Sequence, residues 1–260
     1  MAAFWDDYDD LLGKLRKLRG VAGLKVSTIE RGPAGEFHES EWRADGLGEP
    51  KALRLPGSDS AVLVLGDLGQ FKPTAGSVAA WRWLGRRLRD RGVRPWVLTP
   101  CPPSRWSPQL ARIWQQAHWD RGRRLPTSGT GQRARPLTPE TLETEQKRQM
   151  QRLRVLVSPA VRVERGLLRD IRLLCSSTEL DAGAEFDLWD SDWTSGKVLG
   201  FSLNADASRE GRTRLRELDD RRLVSVVQTI RRHHAYSSDV FGAMEIFILR
   251  DFLQGLRMRS

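Results

Sequence analysis

The chain has 260 residues, room for one large domain or two small ones with a self-sufficient core. Its hydrophobic content of 39% and charged content of 29% are those of a globular protein, and no apolar run reaches the length of a membrane span. The net charge of +10, carried mainly by arginine, allows binding to phosphate-bearing partners, and Cys101 and Cys175 sit in different segments, make no metal-ligand spacing and read as reduced thiols rather than a disulfide framework. With no signal-peptide core and with Asp6, Asp7, Asp9 and Asp10 arguing against a transit peptide, a cytoplasmic location and no membrane partner are expected.

In chain order, Phe4, Tyr8, Leu11, Leu12, Leu15 and Leu18 recur at helical spacing and predict an amphipathic helix over 3–19, closed by Gly20. A short strand is expected over 23–29, and the Gly- and Pro-containing stretch 31–50 reads as a loop. Residues 51–55 read as a lead-in strand. The organising stretch is 61–106. It holds an unbroken apolar strand (Ala61-Val-Leu-Val-Leu65), an acidic turn with Asp67, a helix over 78–91 stopped by Gly92, and a second strand over 96–99. Apolar strands joined by a helix lie parallel with both faces covered. In the helix, Val78, Trp81, Leu84 and Leu88 share one face, while Arg82, Arg86 and Arg89 line another that meets either water or a polyanion. A further helix is expected after Pro108, with Leu110, Ile113, Trp114 and Ala117 facing inward.

From 121 to 137 the composition turns to Arg, Gly, Thr, Ser and Pro, which marks a basic linker carrying Arg121, Arg123, Arg124, Arg133 and Arg135. Beyond it, helices are expected from Thr138 to about Val157, over 163–175, 205–218, 219–233 and 238–257. The expected organisation is therefore an N-terminal helix (1–20), an α/β Rossmann-like domain (21–120), a linker (121–137) and a helical domain (138–260).

Six of the ten tryptophans fall between 81 and 119, interleaved with arginine. Such residues stack bases, anchor protein interfaces or fill the core. Trp83, Trp106, Trp119, Trp189 and Trp193 are the candidates for partner contact. Arg82, Arg86, Arg89 and the five linker arginines are the candidates for nucleic acid.

Asp67 ends a buried strand, where open α/β sheets place ligands. It either serves a site there or caps a turn. The hydroxyls that a von Willebrand A metal site needs two and four residues later are replaced by Gly69 and Phe71, and there is no Gly-rich phosphate cradle. The one acidic cluster spans 179–192, where Asp181, Glu185 and Asp192 share a helical face. Asp67, Asp181 and Glu185 are thus the weak metal candidates, and a metal-dependent hydrolase is the weakest reading. No cofactor is expected, and His233-His234 at a helix end suits the helix dipole.

The runs Val62-Leu-Val-Leu-Gly-Asp-Leu-Gly69, Trp81-Arg-Trp-Leu-Gly-Arg-Arg-Leu88 and Gly92-Val-Arg-Pro-Trp-Val-Leu-Thr-Pro-Cys-Pro-Pro-Ser-Arg-Trp106 resemble bacterial conflict-system proteins with a degenerate von Willebrand A-like domain. So do Val157-Ser-Pro-Ala-Val-Arg-Val-Glu164, Leu167-Leu-Arg-Asp-Ile-Arg172 and Asp181-Ala-Gly-Ala-Glu-Phe-Asp-Leu-Trp189. Proteins of that group are often found with formylglycine-generating-enzyme-like modules. The resemblance implies an antiviral-defence role as a non-catalytic adaptor or scaffold that binds a protein of the same operon. The sequence departs from the larger members of that group by ending at Ser260 with no enzyme-like module, so no iron or sulfatase-modifying chemistry is expected. The alternative expectation is an RNA- or DNA-binding accessory subunit of a ribonucleoprotein effector.

Overall fold

A computed structural model describes residues 11, 13–14, 25, 27–32, 36–43, 46–58, 60–120, 137–176, 178–235 and 246–250. The chain divides into two compact units, 1–136 and 137–260. The first mixes strands and helices, and the second is mainly helical. Most of the expected N-terminal helix, the linker up to residue 136 and much of the last helix lie outside the described residues.

The first unit opens with an antiparallel sheet of β1 (Ser27–Arg31), β2 (Phe37–Arg43), β3 (Gly46–Leu47) and β4 (Lys51–Ala52). Ser27 stands opposite Glu41, and Arg31 opposite Phe37. Along the other edge of β2, β4 pairs with His38 and Glu39, and β3 with Trp42 and Arg43. The loop expected over 31–50 is therefore mostly sheet. β2 is too polar to betray itself by an apolar period, and it exists because β1 and β4 satisfy its backbone.

Next comes a parallel sheet, ordered β5 (Val62–Leu65), β6 (Pro95–Thr99), β7 (Gln115–His118). Helix α1 (Ala75–Asp90) joins β5 to β6. At its start, Thr74 Oγ1 accepts from the Ser77 N–H at 3.0 Å, and Ser77 Oγ accepts from the Thr74 N–H at 3.1 Å. This reciprocal cap satisfies two of the helix's orphan donors. At its end Gly92 takes φ +79° and donates to the Arg89 carbonyl at 2.8 Å, a left-handed stop that suits glycine.

The helix expected after Pro108 lasts one turn, α2 (Pro108–Ala111), and gives way to β7. Apolar spacing misled because its members serve two faces. Leu110, Ile113 and Trp114 pack with α1, Val97 and Leu88, whereas Ala117 sits with Leu98, Trp119 and Leu11. The open edge of β6 supplies backbone partners, and this tertiary demand overrides the local helix preference of Gln115-Gln116-Ala117.

Helix α1 packs closely against Ile113 and Trp114. A Cβ at Gly85 would lie 2.6 Å from both Ile113 Cγ2 and Trp114 Nε1. That indole N–H donates to the Trp81 carbonyl at 3.0 Å. Phe37, with Ile29, Leu53 and Leu55, belongs to the same core, so α1 serves both sheets.

The second unit consists of α3 (Pro139–Val157), α4 (Arg165–Leu173), α5 (Ala182–Trp189), a short hairpin β8 (Thr194–Ser195) and β9 (Ser202–Leu203), α6 (Ala205–Leu215) and α7 (Asp220–His233). Thr138, Asp181, Asn204 and Asp219 cap α3, α5, α6 and α7 through their side-chain oxygens. One core unites them, built on Leu153, Leu156, Leu167, Ile171, Leu188 and Ile230. Leu249, in the helical run 246–250, reaches the same core. Among the described residues, no helix is long and apolar enough to cross a membrane.

Candidate functional site

Three places invite a functional reading: the carboxyl edge of the parallel sheet, the acidic cluster of the helical unit, and the exposed face of α1. At the sheet edge, Asp67 closes a turn. Its Oδ2 accepts from the Phe71 N–H at 3.1 Å, and its carbonyl accepts from the Gln70 N–H at 3.0 Å. Inside that turn Leu68 holds a left-handed φ of +53°, kept there by a side chain that is fully buried. Gln70, also buried, donates from Nε2 to Gln116 Oε1 at 3.1 Å and accepts the Ser107 N–H at 2.9 Å. Cys101 N–H donates to Thr99 Oγ1 at 3.1 Å, and the Trp106 indole donates to the Cys101 carbonyl at 2.7 Å. Amides and hydroxyls thus tie the three strand ends to one another.

The acidic cluster is divided among structural tasks. Asp181 caps α5, accepting the Gly183 N–H at 2.7 Å, and its own N–H donates to Gln149 Oε1 at 3.0 Å. Glu185, one turn on, is buried against Arg172, with Arg169 Nε at 3.9 Å. Glu179 receives Arg152 at 2.7 Å and Arg222 at 3.4 Å. It also accepts the Ser176 N–H at 3.0 Å. That backbone hydrogen bond and the two guanidiniums outweigh partial desolvation and hold the Glu179 carboxyl below its ordinary value. Among the described residues, no three His, Cys, Asp or Glu side chains gather in a cluster fit to hold a metal ion.

The tryptophans separate by exposure. Trp106 and Trp119, put forward for partner contact, are interior side chains, because the sheet edge encloses the first and the Leu11 cluster the second. Trp189 lies edge-on to Phe201 at 5.3 Å, with the Arg165 guanidinium 4.9 Å from its ring centre. Trp193 carries Arg154 at 4.3 Å, and that buried arginine reaches Glu210 at 2.9 Å. Only Trp83, among these five, stands more than half exposed, at 51%. Phe37 lies nearly parallel to it (6.4 Å, 9°), and Arg87 sits 5.5 Å from its ring centre.

The arginines separate in the same way. Arg82 donates to Gln109 Oε1 at 2.8 Å. Arg86, Arg87 and Arg89 are exposed beside Trp83, and no carboxylate among the described residues pairs with them. Arg121, Arg123, Arg124, Arg133 and Arg135 lie outside the described residues. The charge is unequally shared between the units. Residues 1–136 carry 23 Lys and Arg against 14 Asp and Glu, a net +9, while residues 137–260 carry 20 against 19, a net +1.

The pairing of His233 and His234 escapes sequence reasoning. His233 Nε2 meets Asp170 Oδ2 at 2.8 Å, and His234 Nε2 meets Glu164 Oε2 at 2.9 Å, so the end of α7 is pinned to α4. Burial pushes the Glu164 carboxyl up, but the hydrogen bond with His234, its own backbone N–H and the charges of His234 and Arg162 carry it below its ordinary value. Six residues separate Glu164 from Asp170, but nothing local says that they face a segment more than sixty residues away. Burial raises the Cys175 thiol, which leaves it protonated and a poor nucleophile.

No protein family matches the chain, and no curated protein or solved structure matches it either. Function has to be argued from the surface that the fold leaves open.

Proposed function

We propose that the protein is a non-catalytic adaptor that holds a partner protein on the exposed face of α1, in the setting of a bacterial defence assembly of degenerate von Willebrand A-like type. The observation that carries this reading is Trp83. A half-exposed indole, stacked on Phe37 and bracketed by Arg87 on a rigid helix, is the composition and geometry of an interface anchor. Its helix is fixed at both ends and packed against two sheets, so the surface is preorganised and little ordering entropy is lost on docking. The β5–α1–β6 arrangement is compatible with an α/β fold, and the amide network at the sheet edge supports reading that edge as given over to structure. The test is co-purification of the tagged full chain with the product of an adjacent gene. The complex should survive Trp189→Ala and be lost with Trp83→Ala, and a partner retained equally by both variants would refute the reading.

A second reading, an RNA- or DNA-binding accessory subunit, is favoured by the charge asymmetry. The first unit holds nearly all of the net positive charge, and among the described residues no carboxylate forms an ion pair with Arg86, Arg87 or Arg89. Retention of labelled single strands across a salt series measures it directly, and absence of binding even at low salt removes it.

A further inference from the structure

The charge on α1 names the chemistry of its partner; this step rests on the adaptor reading. A protein surface that closes over Trp83 also meets Arg86 and Arg87, one turn away on the helix's exposed side, with exposed Arg89 at its flank. An unpaired guanidinium is strongly unfavourable once desolvated, whereas a carboxylate meeting its planar fork removes that cost. Asp90, exposed one turn beyond Arg86, forms no ion pair with it, and no described carboxylate pairs with the three arginines, so the face keeps a positive excess that carboxylates of a partner complement.

The aromatic side of the surface discriminates between polyanions. A nucleic-acid base stacks on a ring face. At Trp83, Phe37 lies nearly parallel to the ring, and Arg87 stands over it. A base has to displace Arg87 to stack there. A carboxylate can approach the outer edge of the Arg87 guanidinium and leave the cation–π pair in place, with an apolar side chain against the remaining exposed part of the indole.

We propose that the partner docks through an acidic, aliphatic-containing stretch of polypeptide, with carboxylates on successive turns or alternate strand positions that meet Arg86 and Arg89. Those two arginines are three residues apart, about 4.5 Å along the axis of α1, a separation that neighbouring carboxylates of either an extended or a helical segment can match. Electrostatic steering then gives fast, salt-sensitive association, and Trp83 supplies the anchor.

The experiment uses the full chain and fluorescence anisotropy of four labelled probes: a short Glu/Leu/Phe peptide, its counterpart with Lys in place of Glu, oligo(U) and oligo(dT). The Glu peptide is expected to bind, the Lys peptide not to bind, and affinity to fall as salt rises. Arg86→Glu with Arg89→Glu, and separately Trp83→Ala, should each weaken the Glu peptide about 10-fold or more. Arg86→Gln with Arg89→Gln should weaken it less, and circular dichroism establishes that each variant is folded. Failure of the Glu peptide to bind, or binding indifferent to these substitutions, overturns the proposal. Tighter binding of either oligonucleotide at the same salt also overturns it and assigns the face to nucleic acid. A neighbour-gene product that depends on Trp83 but not on Arg86 and Arg89 would leave the adaptor reading standing and remove only the acidic segment.

Discussion

The two units place most of their buried and their unpaired arginines differently, although Arg105 is buried in the first as well. In the helical unit arginine is an interior fastener: Arg154, Arg169 and Arg172 are buried, and Arg172 and Arg154 reach Glu185 and Glu210. Arg152 and Arg222 share Glu179. In the α/β unit, the arginines at positions 86, 87 and 89 lie in solvent, and no carboxylate among the described residues forms an ion pair with them. The total of +10 hides this division, because one half is nearly neutral and the other carries almost the whole excess. Arginine content is therefore not a single signal. Its meaning depends on whether an acid is folded against it.

The sharpest way to break the comparison is to remove the acid from the interior. Glu185→Ala leaves Arg172 and Arg169 in a buried site without their carboxylate, and truncation of one partner of a buried ion pair costs about 3–5 kcal/mol. Chemical denaturation of the full chain should show that loss in the helical unit. If Glu185→Ala is as stable as the parent, water reaches the pair and the interior-fastener role fails.

Next in size is the packing of α1. Gly85→Ala places a methyl group 2.6 Å from Ile113 and from an indole already engaged with the Trp81 carbonyl. The gain in helix propensity, about 1 kcal/mol, is outweighed by overpacking of about 1–3 kcal/mol. A lowered midpoint for the α/β unit is expected, and a raised one would mean that α1 stands further from Trp114. Gly211→Ala offers the matching test in the helical unit, where the new methyl would lie 2.6 Å from Ser158 Cβ.

On the surface the expectation reverses. Arg86→Glu with Arg89→Glu should change stability by no more than about 0.5 kcal/mol, because these side chains are exposed and unpaired. A loss as large as that of Glu185→Ala would place them in the fold rather than on an interface.

How much of this was written in the sequence differs by element. The β5–α1–β6 unit was legible because unbroken apolar strands flank an amphipathic helix stopped by Gly92, although the Thr74–Ser77 cap that starts the helix at Ala75 rather than 78 was not read. β2 was not, since a polar strand defined by its neighbours carries no period of its own. β7 was misread because Leu110, Ile113, Trp114 and Ala117 fall at helical spacing while serving opposite faces of a sheet. Glu185 was visible as an acid and as part of a helix. Its arginine partners lie on α4, and sequence spacing cannot bring two helices together. Trp83 stood among the candidates, but only burial separates it from Trp106 and Trp119.

The smallest effect is set by proton uptake in the helical unit. Glu179 and Glu164 are both held below the ordinary carboxylate value of about 4.3 in the folded chain. A carboxyl depressed on folding stabilises at pH values above its unfolded pKa, and that contribution disappears as pH falls through the folded value. The helical unit should therefore lose stability on acidification below about pH 4–5. Solvent access to both carboxylates keeps each contribution to about 1 kcal/mol or less. Glu179→Gln retains the shape and removes the titration. It should be the less stable protein at neutral pH and converge with the parent as pH falls through the folded value of Glu179. Parallel stability curves for the two proteins across that range would mean that Glu179 gains nothing from Arg152, Arg222 and the Ser176 N–H.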